Sequence, residues 1–493
     1  MGDIKFKKGK NRNIKYSIGY IAHREKIVEQ TLQKRIKYRG ILQKHLKQFY
    51  GHGLLKSNEL RNLKEVNFIL SGSRGGSSVV VDILKQQACT ASSVGKKILS
   101  IPGEEKPYME IAKLTPPFKD FISDKLNESH AKSEKADIFL SELTSEIGWP
   151  LKKTTDLRGF AITIYGRLLM QWPSVDFGAP ESAIKKIEKS IKKASKINKD
   201  VLTYDSEVSS DIILMKKIKN FFPDIDLKFY DRMNNLHDIS SGQLYSKYQY
   251  FIEEPPFIIP SPWHFVTTDE LAQGILILKD PSDAWRIPFW KELLKGIRIS
   301  WTHLTRNAYE SINGLCDGWK FPYGYITTKS PKPLQVKGYT NPKMPWTKWY
   351  AKYSTSDEVW KLLLNKKPVD LERIAREQWV SAHQAIIDEV GGDKHYYRIA
   401  DKKDKKKIGF EWLRSKPNEA FGQICDMFQI ELSSSLKEAV EKITTRAVQV
   451  TPGSSMNADR WKHSQNYDKI ILQVKSYPVV RLSKILGYPL DKI

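Results

Sequence analysis

The sequence has few cysteines. Only Cys89, Cys316 and Cys425 occur in 493 residues, and they are far apart, without the spacing of metal ligands. A disulfide framework and a zinc site are therefore not expected, and a reducing compartment fits this usage.

Long apolar runs are also missing. No stretch approaches the roughly 18 apolar residues that a membrane-spanning helix needs. The N-terminus lacks the apolar core of a signal peptide. Met1-Gly2 resembles the start of a myristoylation motif, but Phe6 stands where that motif has Ser or Thr. We therefore expect a soluble, cytoplasmic protein.

Acidic residues are outnumbered by basic ones. Lys and Arg total 81 against 56 for Asp and Glu, which gives a formal net charge of +25. Such a balance suggests polyanionic partners: nucleic acid, anionic lipid, or a densely charged cosubstrate. The length allows two or three units or one large α/β domain with insertions.

An apolar run at 66–70 stops at a loop rich in glycine and hydroxyl groups, 71–78, and a second apolar run follows at 79–84. A short strand, converging backbone N–H groups and a helix N-terminus together bind phosphate. In the nucleoside-triphosphate version of this loop a Lys precedes the last hydroxyl residue, but here Gly76 occupies that position and Arg74 supplies the cation. A loop of this composition can also be purely structural. Whether it binds phosphate therefore has to be judged from other segments of the sequence.

Three further strands are predicted, near 97–102, 274–278 and 297–306, and helices follow the last two. Strands that alternate with helices in this way favour an α/β fold with a P-loop-like, doubly wound parallel sheet flanked by helices. Ligands of such sheets bind beyond the carboxyl ends of the strands. Arg74, Glu105, Lys279 and Arg306 would all lie at that edge.

Elsewhere the patterns are coarser. We predict a basic helix over 20–50, helices at 283–294, 368–390 and 417–428, and a short strand at 408–410. Residues 184, 187, 191 and 194 form an apolar stripe on a helix that carries lysines on its other sides. The basic helix at 20–50 is either a clamp on an anionic partner or, as we favour, a helix whose outer face is solvated.

Taken together, these segments resemble the PAPS-dependent sulfotransferases, in particular the bacterial type that is similar to tyrosylprotein sulfotransferases. The resemblance covers about 65–112 and 270–490. The motifs that carry it are Gly72-Ser73-Arg74-Gly75-Gly76-Ser77-Ser78, Gly103-Glu104-Glu105, Leu278-Lys279-Asp280-Pro281, Leu304-Thr305-Arg306 with Ser311, Phe410-Glu411-Trp412-Leu413 with Pro417, and Arg460-Trp461-Lys462.

The resemblance, together with the patterns of the segments outside it, predicts four segments. Residues 1–64 are an N-terminal basic arm and helix, and 65–115 are the first part of the sulfotransferase core, with the 5′-phosphosulfate loop. Residues 116–268 are a helical insertion or cap. Residues 269–493 are the second part of the core, with the 3′-phosphate site and the C-terminal segment.

The resemblance also implies roles for individual residues. The catalytic group is Glu105 as general base, with Arg74 and Lys279 neutralising the sulfuryl and bridging oxygens, and no metal is required. PAPS is the expected sulfate donor. The residues expected to bind it are Ser73, Arg74, Gly75, Gly76, Ser77, Ser78, Arg306, Ser311, Arg460 and Lys462.

Two departures from the family pattern leave alternatives open. Many sulfotransferases have the 3′-phosphate Ser eight residues after the Arg, where this chain has Gly314, so Ser311 is less secure than Arg306. Many cytosolic relatives use a catalytic His with a loop Lys, and this chain has a loop Arg. Rival bases are therefore Glu104, Glu110 and His303, although a lone strand His is more often a packing residue.

The basic composition leaves a second function open. The alternative to the enzyme is an inactive sulfotransferase-like fold that acts as a basic nucleic-acid or polyanion-binding module, which would not need Glu105. Nucleic acid is the less favoured partner, and a nucleotide kinase is disfavoured because the loop Lys is missing. The acceptor remains open among sugars, peptide tyrosine and small alcohols or phenols.

Overall fold

The structure is a computed structural model. It describes residues 33–72, 74–89, 97–101, 127–171, 175–204, 208–223, 225, 228–230, 236–238, 257–320, 371–401, 403, 408–445 and 460–488.

A five-stranded parallel sheet forms the centre of the molecule, in the order β10-β9-β1-β8-β2. The predicted α/β class with a parallel sheet flanked by helices is confirmed. Two small sheets, β3-β7 and β5-β4-β6, accompany it. The strands are β1 (Glu65–Leu70), β2 (Lys97–Leu99), β3 (Gly148–Pro150), β4 (Lys228–Tyr230), β5 (Leu236–Asp238), β6 (Phe257–Ile258), β7 (Trp263–Phe265), β8 (Gly274–Leu278), β9 (Arg298–His303) and β10 (Tyr396–Arg398).

The central strand β1 and its neighbour β8 consist entirely of buried residues. Every residue of β1 and β8 is buried, as expected of parallel strands that are covered on both faces. The polar residues of β1 pair across the sheet: Asn67 accepts a hydrogen bond of 3.0 Å from Thr302, and Glu65 accepts one from Ser300. The centre of the sheet is therefore fixed by apolar burial and by satisfied polar pairs.

The helices surround these sheets. They are α1 (33–50), α2 (Ser77–Cys89), α3 (Glu128–Ala131), α4 (Glu134–Ser145), α5 (Leu157–Gln171), α6 (Pro180–Ile197), α7 (Val208–Lys219), α8 (Thr268–Ala272), α9 (Ile287–Leu293), α10 (Ala308–Lys320), α11 (Leu371–Val390), α12 (Gly409–Ser415), α13 (Pro417–Phe428), α14 (Ser434–Thr445), α15 (Tyr467–Val474) and α16 (Tyr477–Leu486), with 3-10 helices at Ser57–Asn62, Lys199–Leu202, Pro281–Trp285 and Arg460–His463. No helix among the described segments is both long enough and apolar enough to cross a membrane.

Two predicted elements differ from the structure. The helix expected over 283–294 is a 3-10 turn at Pro281–Trp285 followed by α9, which begins at Ile287 and has Pro288 in its first turn, where the missing N–H leaves no helical hydrogen bond unmade. The strand expected at 408–410 is the start of α12. Ile408 makes only an isolated bridge to Ala400, and the Phe410 N–H donates to the Thr305 carbonyl at 2.8 Å.

The buried apolar side chains form three clusters. One surrounds the central sheet and includes residues of α2, α4, α9 and α13. A second joins α1 with α5, α6 and α7, and contains the predicted stripe of α6, which is confirmed. The third lies between α10, α11 and the C-terminal helices. The four predicted segment boundaries stay a prediction.

Candidate active site

Three neighbouring strands end at one edge of the sheet. β1 lies between β8 and β9, and all three run parallel. The pairing continues to the strand ends, because the Leu304 N–H donates to the Leu70 carbonyl at 2.9 Å. The loop after β1, Lys279 after β8 and Arg306 after β9 therefore come together, as predicted from the order of the motifs.

The loop between β1 and α2 needs its glycines. The Gly75 N–H donates to the Gly72 carbonyl at 3.0 Å, which makes a tight turn. A Cβ on Gly75 would lie 1.9 Å from Ser71 Oγ, and one on Gly76, whose φ is +93°, would lie 2.2 Å from Phe410 Cδ2. The close packing of Phe410 is therefore a reason for Gly76 at the position where a nucleoside-triphosphate loop has its Lys.

Arg74 has an unusual backbone for a residue with a side chain. Its φ is +65°, a left-handed conformation that costs about 1 kcal/mol or more in a residue other than glycine. Arg306 Nη1 donates to the Arg74 carbonyl at 2.9 Å and so holds this conformation. Arg306 thereby links the end of β9 to the loop.

Arg306 is also part of a buried charge cluster. Its Nε and Nη2 donate to Glu310 Oε2 at 3.0 and 2.8 Å, and Arg414 binds both oxygens of the same carboxylate at 3.0 and 3.1 Å. Burial opposes the ionisation of Glu310, but the two arginines outweigh it and lower its pKa. Two cations share one anion, and the cluster keeps a net positive charge.

Two residues of α10, Gly314 and Ser311, are relevant to the 3′-phosphate prediction. A Cβ on Gly314 would lie 3.6 Å from Arg74 Cβ and 3.9 Å from Arg306 Nη1. Ser311 is buried on the same helix, and its hydroxyl has no hydrogen-bond partner in the part of the chain that is described. Gly314, eight residues after Arg306, is thus a residue of α10 that lies opposite Arg306.

Lys279 reaches the other end of the loop. Its Nζ donates to Ser78 Oγ at 2.9 Å, and the residue is almost fully buried. The next residue, Asp280, pairs with the buried Arg286 at 3.2 Å. Within the motif Leu278-Lys279-Asp280-Pro281, the Lys279 cation therefore contacts the loop, and the Asp280 carboxylate pairs with the buried Arg286.

Several predicted site residues stand apart from this geometry. Ser73, Glu104, Glu105 and Glu110 lie outside the described residues. Arg460 and Lys462 flank Trp461, which stacks on Tyr309 of α10 with ring centroids 4.5 Å apart. Trp461 is thus packed on the residue that precedes Glu310 in the chain.

His303 lies inside the fold at the end of β9. Its Nδ1 is 2.8 Å from the Tyr396 hydroxyl, and its Nε2 is 2.8 Å from His383 Nδ1. Burial, followed by the nearby His383 and Arg398, lowers the pKa of His303 well below its usual value. With both ring nitrogens engaged, His303 has the contacts of a packing residue.

Sequence reasoning gave no role to Glu411, Gln378 or His383. Glu411 Oε1 accepts from the Asn307 N–H at 2.9 Å, and its Oε2 accepts from the Tyr488 hydroxyl at 2.9 Å. Burial, and then the neighbouring Glu310, raises the pKa of Glu411. The motif at 410–413 pointed to Glu411, whereas no local pattern marks Gln378 or His383, which approach Gly72 from α11. In the segments that are described, no group of three or more His, Cys, Asp or Glu side chains could hold a metal ion.

No protein-family model and no curated protein matches this chain. Three solved structures resemble it. The sulfotransferase domain of the Synechococcus PCC 7002 olefin synthase is 12% identical, with a TM-score of 0.34 over 87% of this chain and 97% of that one. The sulfotransferase domain from the curacin biosynthetic pathway is 11% identical, with a TM-score of 0.31 over 87% and 99%.

The sulfotransferase STF9 from Mycobacterium avium is 10% identical, with a TM-score of 0.32 over 94% of this chain and 86% of that one. The chain thus has a weak, fold-level likeness to sulfotransferases, in agreement with the resemblance drawn from the motifs. At these scores no residue role or ligand is carried over from the three proteins.

Proposed function

We propose that the chain is a sulfotransferase that moves a sulfuryl group from PAPS to a hydroxyl or amine of an acceptor. One observation carries the proposal: the glycine-rich loop, Lys279 and Arg306 meet at the ends of three adjacent strands and are joined by direct hydrogen bonds. A nucleotide with phosphates at two positions needs cations on both sides of such a loop. Lys279 and Arg306 stand on those two sides.

The proposed donor fits the chemistry of the loop. Gly75, Gly76, Ser77 and Ser78 lie at the N-terminus of α2, where backbone N–H groups and the helix dipole favour the 5′-phosphate. In sulfuryl transfer, as in phosphoryl transfer, charge spreads over the moving group and the leaving oxygen, so fixed cations matter most. Arg74 and Lys279 would neutralise that charge.

The 3′-phosphate would bind at the charge cluster. Arg306 and Arg414 share Glu310, and the remaining positive charge favours a phosphate there. Ser311 stays the proposed hydroxyl partner, with Arg460 and Lys462 as further cations. PAPS and an acceptor are the proposed partners, and the cytoplasm is the proposed compartment.

Calorimetry with two nucleotides tests the donor. We expect 3′,5′-diphosphoadenosine to bind well above AMP, because Arg306 adds a charge-assisted hydrogen bond of about 1.5 to 3 kcal/mol. Arg306→Ala should remove most of that difference. Equal affinity for the two nucleotides in the wild type would contradict the proposal.

Glu105 is the proposed base. The acceptor proton would pass to its carboxylate as the new O–S bond forms and the bond from sulfur to the 5′-phosphate oxygen breaks, releasing 3′,5′-diphosphoadenosine. Glu105→Gln should lower kcat by roughly 10² to 10⁴ with little change in nucleotide affinity. Glu104→Gln is the matched control and should change kcat much less. If Glu104→Gln or His303→Ala lowered kcat strongly while Glu105→Gln stayed near wild type, Glu105 would not be the base. Transfer from labelled PAPS to a panel of sugars, peptides and phenols provides the assay.

A further inference from the structure

The two C-terminal helices carry a large share of the exposed apolar side chains. Ten large apolar side chains are exposed in the described part of the chain, and five of them lie on α15 and α16. One of the five, Tyr467, stacks on Trp461. The other four are Leu472 (69% exposed), Tyr477 (77%), Val480 (41%) and Ile485 (47%). Single exposed apolar residues are common, but a group of them marks a contact with a protein or a membrane.

These four side chains lie on one side of the two helices. The opposite faces of α15 and α16 are buried in the same apolar cluster, the one between α10, α11 and the C-terminal helices. On α16, the exposed positions 477, 480, 481, 484 and 485 fall within an arc of about 140°. Leu472 lies opposite the buried residues Ile470 and Val474 of α15. The exposed faces of both helices therefore point away from one core.

Basic side chains are interspersed with the exposed apolar ones. The basic residues of 467–486 are Lys469, Lys475, Arg481 and Lys484. Asp468 is the one acidic residue of the same segment. The three lysines are exposed and form no ion pair with any described residue, and Arg481 donates to the uncharged Gln384 at 2.6 Å. This surface, which we call the C-terminal face, therefore carries positive charge that its own residues do not neutralise.

The combination of apolar and cationic side chains indicates the kind of partner. Leu and Val side chains can enter the apolar boundary of a bilayer, Tyr is favoured at the level of the headgroups, and the long lysine side chains reach lipid phosphates. A soluble polyanion would leave the apolar side chains without a partner. A second copy of the chain would bring like charges together. An anionic bilayer satisfies both halves of the pattern.

We infer that the C-terminal face docks the protein on an anionic membrane surface, with Leu472, Tyr477 and Val480 inserted among the lipids and the lysines on the headgroup phosphates. The cytoplasmic leaflet is rich in anionic lipid, which agrees with the compartment proposed above. The face is also joined to the candidate active site. The hydroxyl of Tyr488, two residues after α16, lies 2.9 Å from Thr305 Oγ1 at the end of β9 and donates to Glu411 at 2.9 Å.

Co-sedimentation of the full chain with vesicles tests the inference. We expect the wild type to bind vesicles of phosphatidylcholine mixed with phosphatidylserine, and to bind phosphatidylcholine alone much more weakly. Replacing both Leu472 and Tyr477 by Ser removes the two most exposed apolar side chains of the face, and should weaken binding about tenfold or more. The melting temperature of this double variant should match that of the wild type, because both side chains are already exposed.

The charges are tested separately. Lys469→Glu combined with Lys484→Glu should weaken binding to the anionic vesicles at least about twentyfold, since each cation near such a surface contributes roughly a factor of five. The matched control is Lys193→Glu with Lys196→Glu on α6, which makes the same charge change on another exposed basic helix. Ile197→Ser, at an α6 residue that is 61% exposed, is the apolar control. Neither control should change binding.

Three results would overturn the inference. They are a wild type that does not bind the anionic vesicles, a Leu472 and Tyr477 double variant that binds them like the wild type, and α6 variants that weaken binding as much as those of the C-terminal face. Sedimentation velocity addresses the other occupant. A wild-type dimer that the double variant turns into a monomer, without vesicle binding, would show that a second copy covers this face instead.

Discussion

At the scale of single residues, the glycine opposite Arg306 is the most informative position. Gly314 stands where many sulfotransferases have the serine of the 3′-phosphate site, and an added Cβ meets Arg74 Cβ at 3.6 Å and Arg306 Nη1 at 3.9 Å. There is room for a small side chain, and the hydroxyl would point into the charge cluster. A serine at position 314 would therefore add a second donor that the geometry accommodates.

We predict that Gly314→Ser tightens the binding of 3′,5′-diphosphoadenosine about threefold to tenfold, because one more hydrogen bond to a charged group becomes available. AMP affinity should not change, since AMP lacks the 3′-phosphate. Gly314→Ala adds the same Cβ without the hydroxyl, and isolates the effect of the Cβ and of the higher helix propensity. The prediction is wrong if Gly314→Ser binds 3′,5′-diphosphoadenosine no more tightly than Gly314→Ala does.

At the scale of secondary-structure elements, β9, β10 and α11 meet through an internal hydrogen-bonded chain. His303 lies at the centre of this chain, because its Nδ1 is 2.8 Å from the Tyr396 hydroxyl and its Nε2 is 2.8 Å from His383 Nδ1, and the charge of Arg398 is close enough to act on its ring. Burial lowers the pKa of both histidines, to about 3 for His383. The contact between these elements therefore requires neutral rings.

This requirement predicts a pH dependence of stability. The unfolded chain takes up protons on its histidines below about pH 6.5, whereas the folded protein does not take one up at His383 until about pH 3. The stabilisation from His383 is therefore fully present above pH 6.5 and is lost as the pH falls toward 3, by about 1.4 kcal/mol per pH unit. The lowered pKa of His303 acts in the same direction. Urea unfolding at pH 7, 6 and 5 should reveal this slope, and His383→Gln should reduce it by about one proton. An unchanged slope in His383→Gln would show that His383 is not a source of the pH dependence.

At the scale of the whole molecule, α1 joins two of the apolar clusters. Its Tyr38, Leu42 and Leu46 belong to the cluster of α5–α7, whereas Arg35 and Arg39 pair with Glu142 of α4, at 2.6 and 2.5 Å. Arg35 also pairs with Glu146. Arg35 and Arg39 of α1 thus form ion pairs with α4, the helix that packs on the central sheet.

We predict that Glu142→Gln lowers the free energy of unfolding by about 3 kcal/mol, because it leaves buried arginine charge without one of its partners. The matched control is Glu181→Gln, whose pair with Arg158 is exposed and should matter little. Urea unfolding curves of both variants check the difference. Equal, small effects would show that α1 is held by its apolar face alone.

The sequence by itself determined the elements and their order. β1, the loop and α2 are adjacent in the chain, and their apolar runs and glycines are local signals, as are the strands that end at Lys279 and Arg306. Parallel pairing then brings those ends to one edge, so the approximate location of the site followed without coordinates. The start of the predicted helix 283–294 and the strand at 408–410 were wrong, because a 3-10 turn precedes α9 and because the Phe410 N–H bonds to the Thr305 carbonyl at the start of α12.

Only the tertiary structure decided what these residues touch. That Arg306 holds the Arg74 carbonyl and that Phe410 excludes a side chain at Gly76 are contacts between residues 232 and 334 positions apart in the chain. That Gly314 faces the charge cluster depends on the rotation of α10, which the sequence does not fix. Gln378 and His383 carry no local pattern at all. They reach Gly72 because the indole groups of Trp379 and Trp285 fix α11 against the strand ends, and packing of this kind depends on the shape of the assembled core.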